Sequence, residues 1–90
     1  MSEYVTFNNQ KYEVRNRELK IEWKQIKSIL DVIGLEKLTS LETLYLTAAA
    51  IRKIEGLNNL KNLRRLELWL NPIQKIEGID TLINLEYCRR

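Results

Sequence analysis

Histidine is missing from this 90-residue chain, and one cysteine, one proline and three glycines are all it has of three other special residue types. Each shortage excludes some chemistry. Without histidine the commonest general base and metal ligand is gone, and Thr39, Ser40 and Thr47 have no such base to activate them as nucleophiles. A lone Cys88 forbids an internal disulfide, so a reducing compartment, the cytoplasm, is the expectation. Gly34, Gly56 and Gly78 stand apart and form no phosphate-cradling cluster. No apolar run approaches the roughly 18 residues of a membrane span, and residues 1–10 lack the basic and apolar regions of a secretory signal. The carboxylate pairs Glu18 with Glu22 and Glu36 with Glu42 lie among lysines and arginines in the ordinary solvated pattern, which argues against catalysis. A non-enzymatic protein with no cofactor and no metal is expected.

Charge is nearly balanced: fifteen basic against twelve acidic residues give +3. Basic residues alternate with acidic ones except at Arg64-Arg65 and Arg89-Arg90, so nothing marks a nucleic-acid footprint. Ninety residues make one domain at most, with a proportionately small core and marginal stability.

What the chain does have is a leucine and isoleucine pattern on a 22-residue step. Leu35, Leu57 and Ile79 are 22 apart, as are Leu38, Leu60 and Leu82, then Leu41, Leu63 and Leu85, then Leu44, Leu66 and Cys88. Leu46 stands over Leu68, Ile51 over Ile73 and Ile54 over Ile76, with Gly34, Gly56 and Gly78 before each new unit. A unit this short cannot bury its own apolar face, so the recurrence predicts a solenoid of strand-plus-return units sharing one core. Cys88 falls in a leucine column and reads as a small buried hydrophobe, or else as a reactive thiol or intermolecular disulfide partner. Upstream the repeat is degenerate: Leu19, Ile21, Ile26 and Ile29 align with Leu44, Leu46, Ile51 and Ile54 at a step of 25. Apolar residues at 26, 29, 30 and 33 predict a helical turn or two over residues 24–33.

Residues 3–14 alternate about Asn8-Asn9, which predicts a tight hairpin with Val5 opposite Tyr12 and Phe7 opposite Gln10. Its apolar face, Val5, Phe7, Tyr12 and Val14, would cover the first end of the stack as a cap.

Residues 57–78, LNNLKNLRRLELWLNPIQKIEG, resemble a leucine-rich repeat of the short, 22-residue class, typified by the leucine-rich regulatory subunit of protein phosphatase 1 and by internalin repeats. The resemblance covers residues 19–88 and implies an α/β leucine-rich-repeat solenoid. It would have a curved parallel sheet on the concave side, short helical or 3-10 return segments on the convex side, and an N-terminal β-hairpin cap. Residues 1–90 then form a single domain: hairpin cap 1–18, degenerate first repeat 19–34, repeats 35–56 and 57–78, and a partial terminal repeat 79–90. Asn71 holds the position where that family uses asparagine to bond backbone groups left unpaired by the turn. Its column also holds Ala49 and Lys24. Alanine cannot supply those bonds, so the backbone near Ala49 needs another partner, and the run Ala48-Ala49-Ala50 reads as a degenerate or engineered unit.

Alternation along the strands turns Leu44, Leu46, Leu66 and Leu68 inward and their neighbours outward. Outward columns are Glu18, Thr43 and Arg65; Lys20, Tyr45 and Glu67; and Glu22, Thr47 and Trp69. Their tryptophan, tyrosine and arginine content is that of an interaction hot spot. The first functional expectation is therefore a module binding a protein partner through the concave face, with Lys20, Thr43, Tyr45, Arg65, Glu67 and Trp69 at the contact. The alternative is a self-assembling structural fragment or engineered repeat piece that forms a homodimer through an open C-terminal end, with Trp23, Leu70, Leu82, Leu85, Tyr87 and Cys88 involved. Arg90, in the inward column of Leu46 and Leu68, suits a terminating position. Nucleic acid and membrane are not expected partners.

Overall fold

The computed structural model describes residues 3–89, with Arg89 described in its backbone alone. Its strands are β1 (Tyr4–Phe7), β2 (Gln10–Glu13), β3 (Glu18–Lys20), β4 (Thr43–Tyr45), β5 (Lys53–Ile54), β6 (Arg65–Glu67), β7 (Lys75–Ile76) and β8 (Tyr87–Arg89). Two short 3-10 helices, Ile29–Asp31 and Leu35–Lys37, accompany them. The result is a small α/β fold of parallel and antiparallel strands with few helices.

Asn8 and Asn9 take left-handed angles, φ 53° and 65°, which a two-residue hairpin turn requires and asparagine tolerates. They pair β1 with β2 in the expected register, Val5 opposite Tyr12 and Phe7 opposite Gln10. Val5 is buried, and Phe7, Tyr12 and Val14 pack against the core. The other edge of β1 is tied down too, since Thr6 and Ile33 exchange backbone hydrogen bonds of 3.0 and 2.8 Å. A second tight turn follows at Asn16 and Arg17, φ 54° and 61°, and lays Arg15 antiparallel to Glu18. The leucine periodicity carries no sign of this turn. Glu18 spends both backbone groups on Arg15, so that edge of β3 is occupied at its first residue.

The central sheet is parallel in the order β3-β4-β6-β8. Leu19, Leu44, Leu66 and Cys88 are successive register partners, which fits the 25-residue first step and the 22-residue later ones. A second parallel pair, β5 with β7, puts Ile54 beside Ile76. Between the sheets lies one core in which Leu44, Leu46, Leu66 and Leu68 are fully buried.

Links into the sheet strands follow a period of three. Ile26, Ile29, Val32, Leu35, Leu38 and Leu41 are all buried, as are Leu57, Leu60 and Leu63. Bonds from the N–H of Leu38, Leu41, Leu60 and Leu63 to the carbonyl three residues earlier, 3.0–3.1 Å, hold that geometry, in which residues three apart eclipse on one side. Over residues 24–33, where a helical turn or two is expected, the structure has the single 3-10 turn Ile29–Asp31, with Leu30 and Ile33 exposed and Val32 buried. The period is 3.0 rather than 3.6, and the backbone of Ile33 is engaged by Thr6. Short helical or 3-10 return segments are expected; the first unit has the 3-10 helix Ile29–Asp31, whereas in the two full units the return side carries the strands β5 and β7.

Asn71 solves the problem posed by Ala49. Its side-chain oxygen accepts from the N–H of Ala49 (2.8 Å) and Ile51 (3.0 Å). Its amide donates to the carbonyls of Leu46 (2.8 Å), Leu68 (2.9 Å) and Trp69 (3.1 Å). One amide group thus serves its own unit and the unit before it. Asn62 and Asn84, one step apart, repeat a simpler version at the surface, donating to Thr39 and Lys61 carbonyls at 2.8 and 2.9 Å.

Cys88 does not meet its expectation as a buried hydrophobe. It keeps the leucine register but is exposed, because no described unit covers that layer. Arg90 lies outside the described residues.

Charges stack as the leucines do. Arg17, Glu42, Arg64 and Glu86 occupy one edge column with alternating sign, bridged Arg17 to Glu42 at 3.2 Å and Arg64 to Glu86 at 2.7 Å. The hydrogen bond from Arg64, and its charge, hold the Glu86 carboxyl below its ordinary pKa. On the return side Lys75 bonds Glu77 at 3.0 Å, and Lys53 lies 3.5 Å from both Glu55 and Glu77. Lys75 and Lys53 push the Glu77 carboxyl down in the same way. A lowered folded-state pKa stabilises above the ordinary carboxylate value, and that contribution is lost as pH falls through the lowered one.

Two outcomes are expected. Asn71→Ala should lower unfolding free energy by about 2–4 kcal/mol, since buried backbone groups near Ala49 and Leu46 lose partners, whereas Asn62→Ala at the surface should cost about 0.5 kcal/mol; urea titration followed by circular dichroism measures both. Melting temperature should hold steady from about pH 7 to 5 and decline below about pH 4, less steeply in Glu77→Gln and Glu86→Gln; a slope unchanged in both variants would contradict the assignment.

Candidate functional site

The outer face of the central sheet is built by alternation: with leucines turned in, residues 18, 20, 43, 45, 65, 67 and 87 turn out. Register places Lys20, Tyr45 and Glu67 in one row and Thr43, Arg65 and Tyr87 in the next. Neighbouring strands stand about 4.8 Å apart, so members of a row touch.

Two cations lie over aromatic rings of the adjacent strand. Lys20 Nζ is 4.9 Å from the centre of the Tyr45 ring, and the Arg65 guanidinium carbon is 4.8 Å from that of Tyr87. Each also faces a carboxylate on its own strand, Glu18 at 3.5 Å and Glu67 at 3.7 Å. Alternate residues of one strand lie on the same face, which brings each pair together. Glu18 is thus tied into this surface, as Glu42 is into the edge column. A cleft of about 220 Å³ opens beside the face, lined by Glu42, Thr43, Arg64, Arg65, Glu86 and Tyr87.

Where the strands leave the sheet the chain turns a corner. Trp23 N–H bonds the Thr47 carbonyl at 3.0 Å and Ala48 N–H bonds that of Trp69 at 2.8 Å, so the register persists through the bend. Trp23, Ala48 and Leu70 form the corner column, and all three are left-handed, φ 60°, 54° and 60°. That conformation costs an ordinary side chain about 1–2 kcal/mol, and glycine or asparagine escapes most of it. Yet Trp23 is 73% exposed, Leu70 63% and Trp69, beside it, 48%. Large apolar side chains occupy strained positions without the burial that would offset the strain.

The six residues expected at a partner contact therefore share one surface: Lys20, Thr43, Tyr45, Arg65 and Glu67 on the sheet, Trp69 at its exit. The set expected for self-association does not form one patch. Leu82 is buried and Leu85 half-buried in the turns entering β8, while Trp23 and Leu70 lie at the opposite, exit ends of their strands. Tyr87, assigned to that set, belongs with the sheet face under Arg65. The 22-residue step from Arg65 to Tyr87 carried this signal, as the alternating signs at 42, 64 and 86 carried that of the edge column.

Among the described residues no cluster of three or more carboxylates, histidines or cysteines could hold a metal ion, and no helix is long and apolar enough to cross a membrane. No family model, curated protein or solved structure matches the chain.

Asparagine suits the left-handed region, and Trp23 and Leu70 bury little there. Trp23→Asn and Leu70→Asn should each leave the melting temperature unchanged or raise it by a few degrees, the stabilisation being about 0.5–1 kcal/mol. Differential scanning calorimetry checks this; a fall of several degrees would mean that the corner side chains support the fold.

Proposed function

We propose that this chain is a non-enzymatic protein-interaction module of the leucine-rich-repeat kind, a short solenoid whose central sheet forms a concave binding face. Lys20, Thr43, Tyr45, Arg65, Glu67 and Trp69 make the contact, with Tyr87 added from the adjoining row. The observation that carries the reading is the corner column: bulky apolar groups at left-handed positions, exposed and next to Trp69, weaken the fold and so serve something outside it. Supporting it, the cations on Tyr45 and Tyr87 are held in defined places, and a side chain already ordered gives up less freedom on binding. The aromatics provide apolar area while Lys20, Arg65 and Glu67 orient the partner by charge. A cytoplasmic setting accompanies this reading, with neither nucleic acid nor membrane as the partner.

A second reading is favoured by the exposure of Cys88 in an otherwise leucine column. In it two copies pair along β8 and bury that layer between them.

Affinity capture separates the two. Proteins held by the wild type should be lost from Arg65→Ala with Trp69→Ala and kept by Glu36→Ala with Asn59→Ala, away from the sheet face; retention by both pairs removes the sheet-face reading. In sedimentation, self-pairing predicts a mass approaching twice 10.7 kDa as concentration rises and a monomer for Cys88→Glu. A wild type that stays monomeric at every concentration removes that alternative.

A further inference from the structure

We infer that the sheet face takes an acidic segment carrying one large apolar side chain, an inference that rests on the sheet-face reading and gives its partner a chemistry. Among the described side chains, each cation of the face is more exposed than the carboxylate beside it. The Lys20 side chain is 57% exposed against 38% for Glu18, and that of Arg65 50% against 12% for Glu67. A partner approaching the sheet therefore meets positive tips, propped on Tyr45 and Tyr87, before it meets the negative groups. The chain as a whole is +3 with a sequence pI near 9.1, so the long-range field has the same sign.

The apolar anchor belongs at the corner. Trp23 and Leu70 flank Ala48, a small residue between two large ones at strand spacing, and Trp69 adjoins Leu70. The partner's apolar side chain would seat over Ala48, the small member of that column. Along the strand, Lys20 lies three residues from Trp23, and Arg65 lies five from Leu70. At no more than about 3.3 Å per residue this puts the corner within roughly 10–17 Å of the cations. An extended segment bridges that distance in three to five residues. The recognised pattern is a bulky apolar residue and, about four positions away, one or two carboxylates. A nucleic acid strand fits less well, because its charge at every phosphate would fall against Glu18, Glu22 and Glu67 as well as on the cations.

Fluorescence anisotropy with the whole folded chain tests this. The probe is a dye-labelled eight-residue peptide with one phenylalanine and, four and five positions later, two aspartates in a glycine-serine background. Controls replace the aspartates by lysines or the phenylalanine by serine, and an eight-nucleotide single-stranded DNA is run beside them. The acidic peptide should bind about tenfold more tightly than the lysine version, as two partly exposed ion pairs allow. Lys20→Glu with Arg65→Glu should reverse that preference, and Trp23→Asn or Leu70→Asn should weaken the acidic peptide about fivefold with no loss of melting temperature, as one apolar anchor contact allows. Equal binding of acidic and lysine peptides, no binding of the acidic peptide up to millimolar concentration, or tighter binding of the DNA overturns the inference. If both peptides bind equally and Trp69→Ala abolishes both, the charge assignment fails while the sheet face stands. If the acidic preference persists undiminished in Trp69→Ala and in Lys20→Glu with Arg65→Glu, the sheet face itself is wrong.

Discussion

Every layer of this protein depends on leucines of consecutive units meeting at the same height. Leu44 beside Leu66, and the buried Leu46, Leu68, Ile51 and Ile54, are fully removed from water only because each unit closes over the next. Burying such a side chain contributes roughly 1.5–3 kcal/mol, whereas ordering each residue costs about 1–2. A unit alone would not hold. The equal spacing of the units is therefore an energetic requirement, and the backbone hydrogen bonds of the parallel sheet follow from it.

Polar groups obey the same spacing. Asn71 bonds backward to Ala49, Ile51 and Leu46 and locally to Leu68 and Trp69, so the asparagine of one unit supplies what the alanine of the previous unit lacks. The edge column Arg17, Glu42, Arg64 and Glu86 alternates in sign and gains from the short interstrand distance that would penalise like charges. A shift of strand register between units would break the leucine layers, the asparagine bonds and the charge column together. The first unit carries three extra residues, and it accommodates them on the return side by the 3-10 turn Ile29–Asp31, leaving the strand register intact.

Against this economy stands the corner column. Trp23 and Leu70 hold left-handed backbone where glycine or asparagine would sit more easily, and they cover little. Strain without burial, next to a face where lysine and arginine rest on tyrosines, is the physical basis for proposing a binding surface rather than an inert one.

Periodicity alone determined the strand columns, the inward leucines and the hairpin register, because a 22-residue step and a two-residue turn each permit one alignment that keeps apolar groups inside. It also placed Lys20, Tyr45, Arg65, Glu67 and Trp69 on a common side. Hydrophobic pattern could not distinguish a period of 3.0 from one of 3.6 over residues 24–33, so the burial of Val32 and the exposure of Leu30 and Ile33 were not legible there. Only the tertiary structure decided those, along with the Asn16-Arg17 turn, the strands β5 and β7, the exposure of Cys88 and the reach of Asn71 into the preceding unit. These are set by which backbone groups and layers find a neighbour across space, and local sequence carries no record of the neighbour.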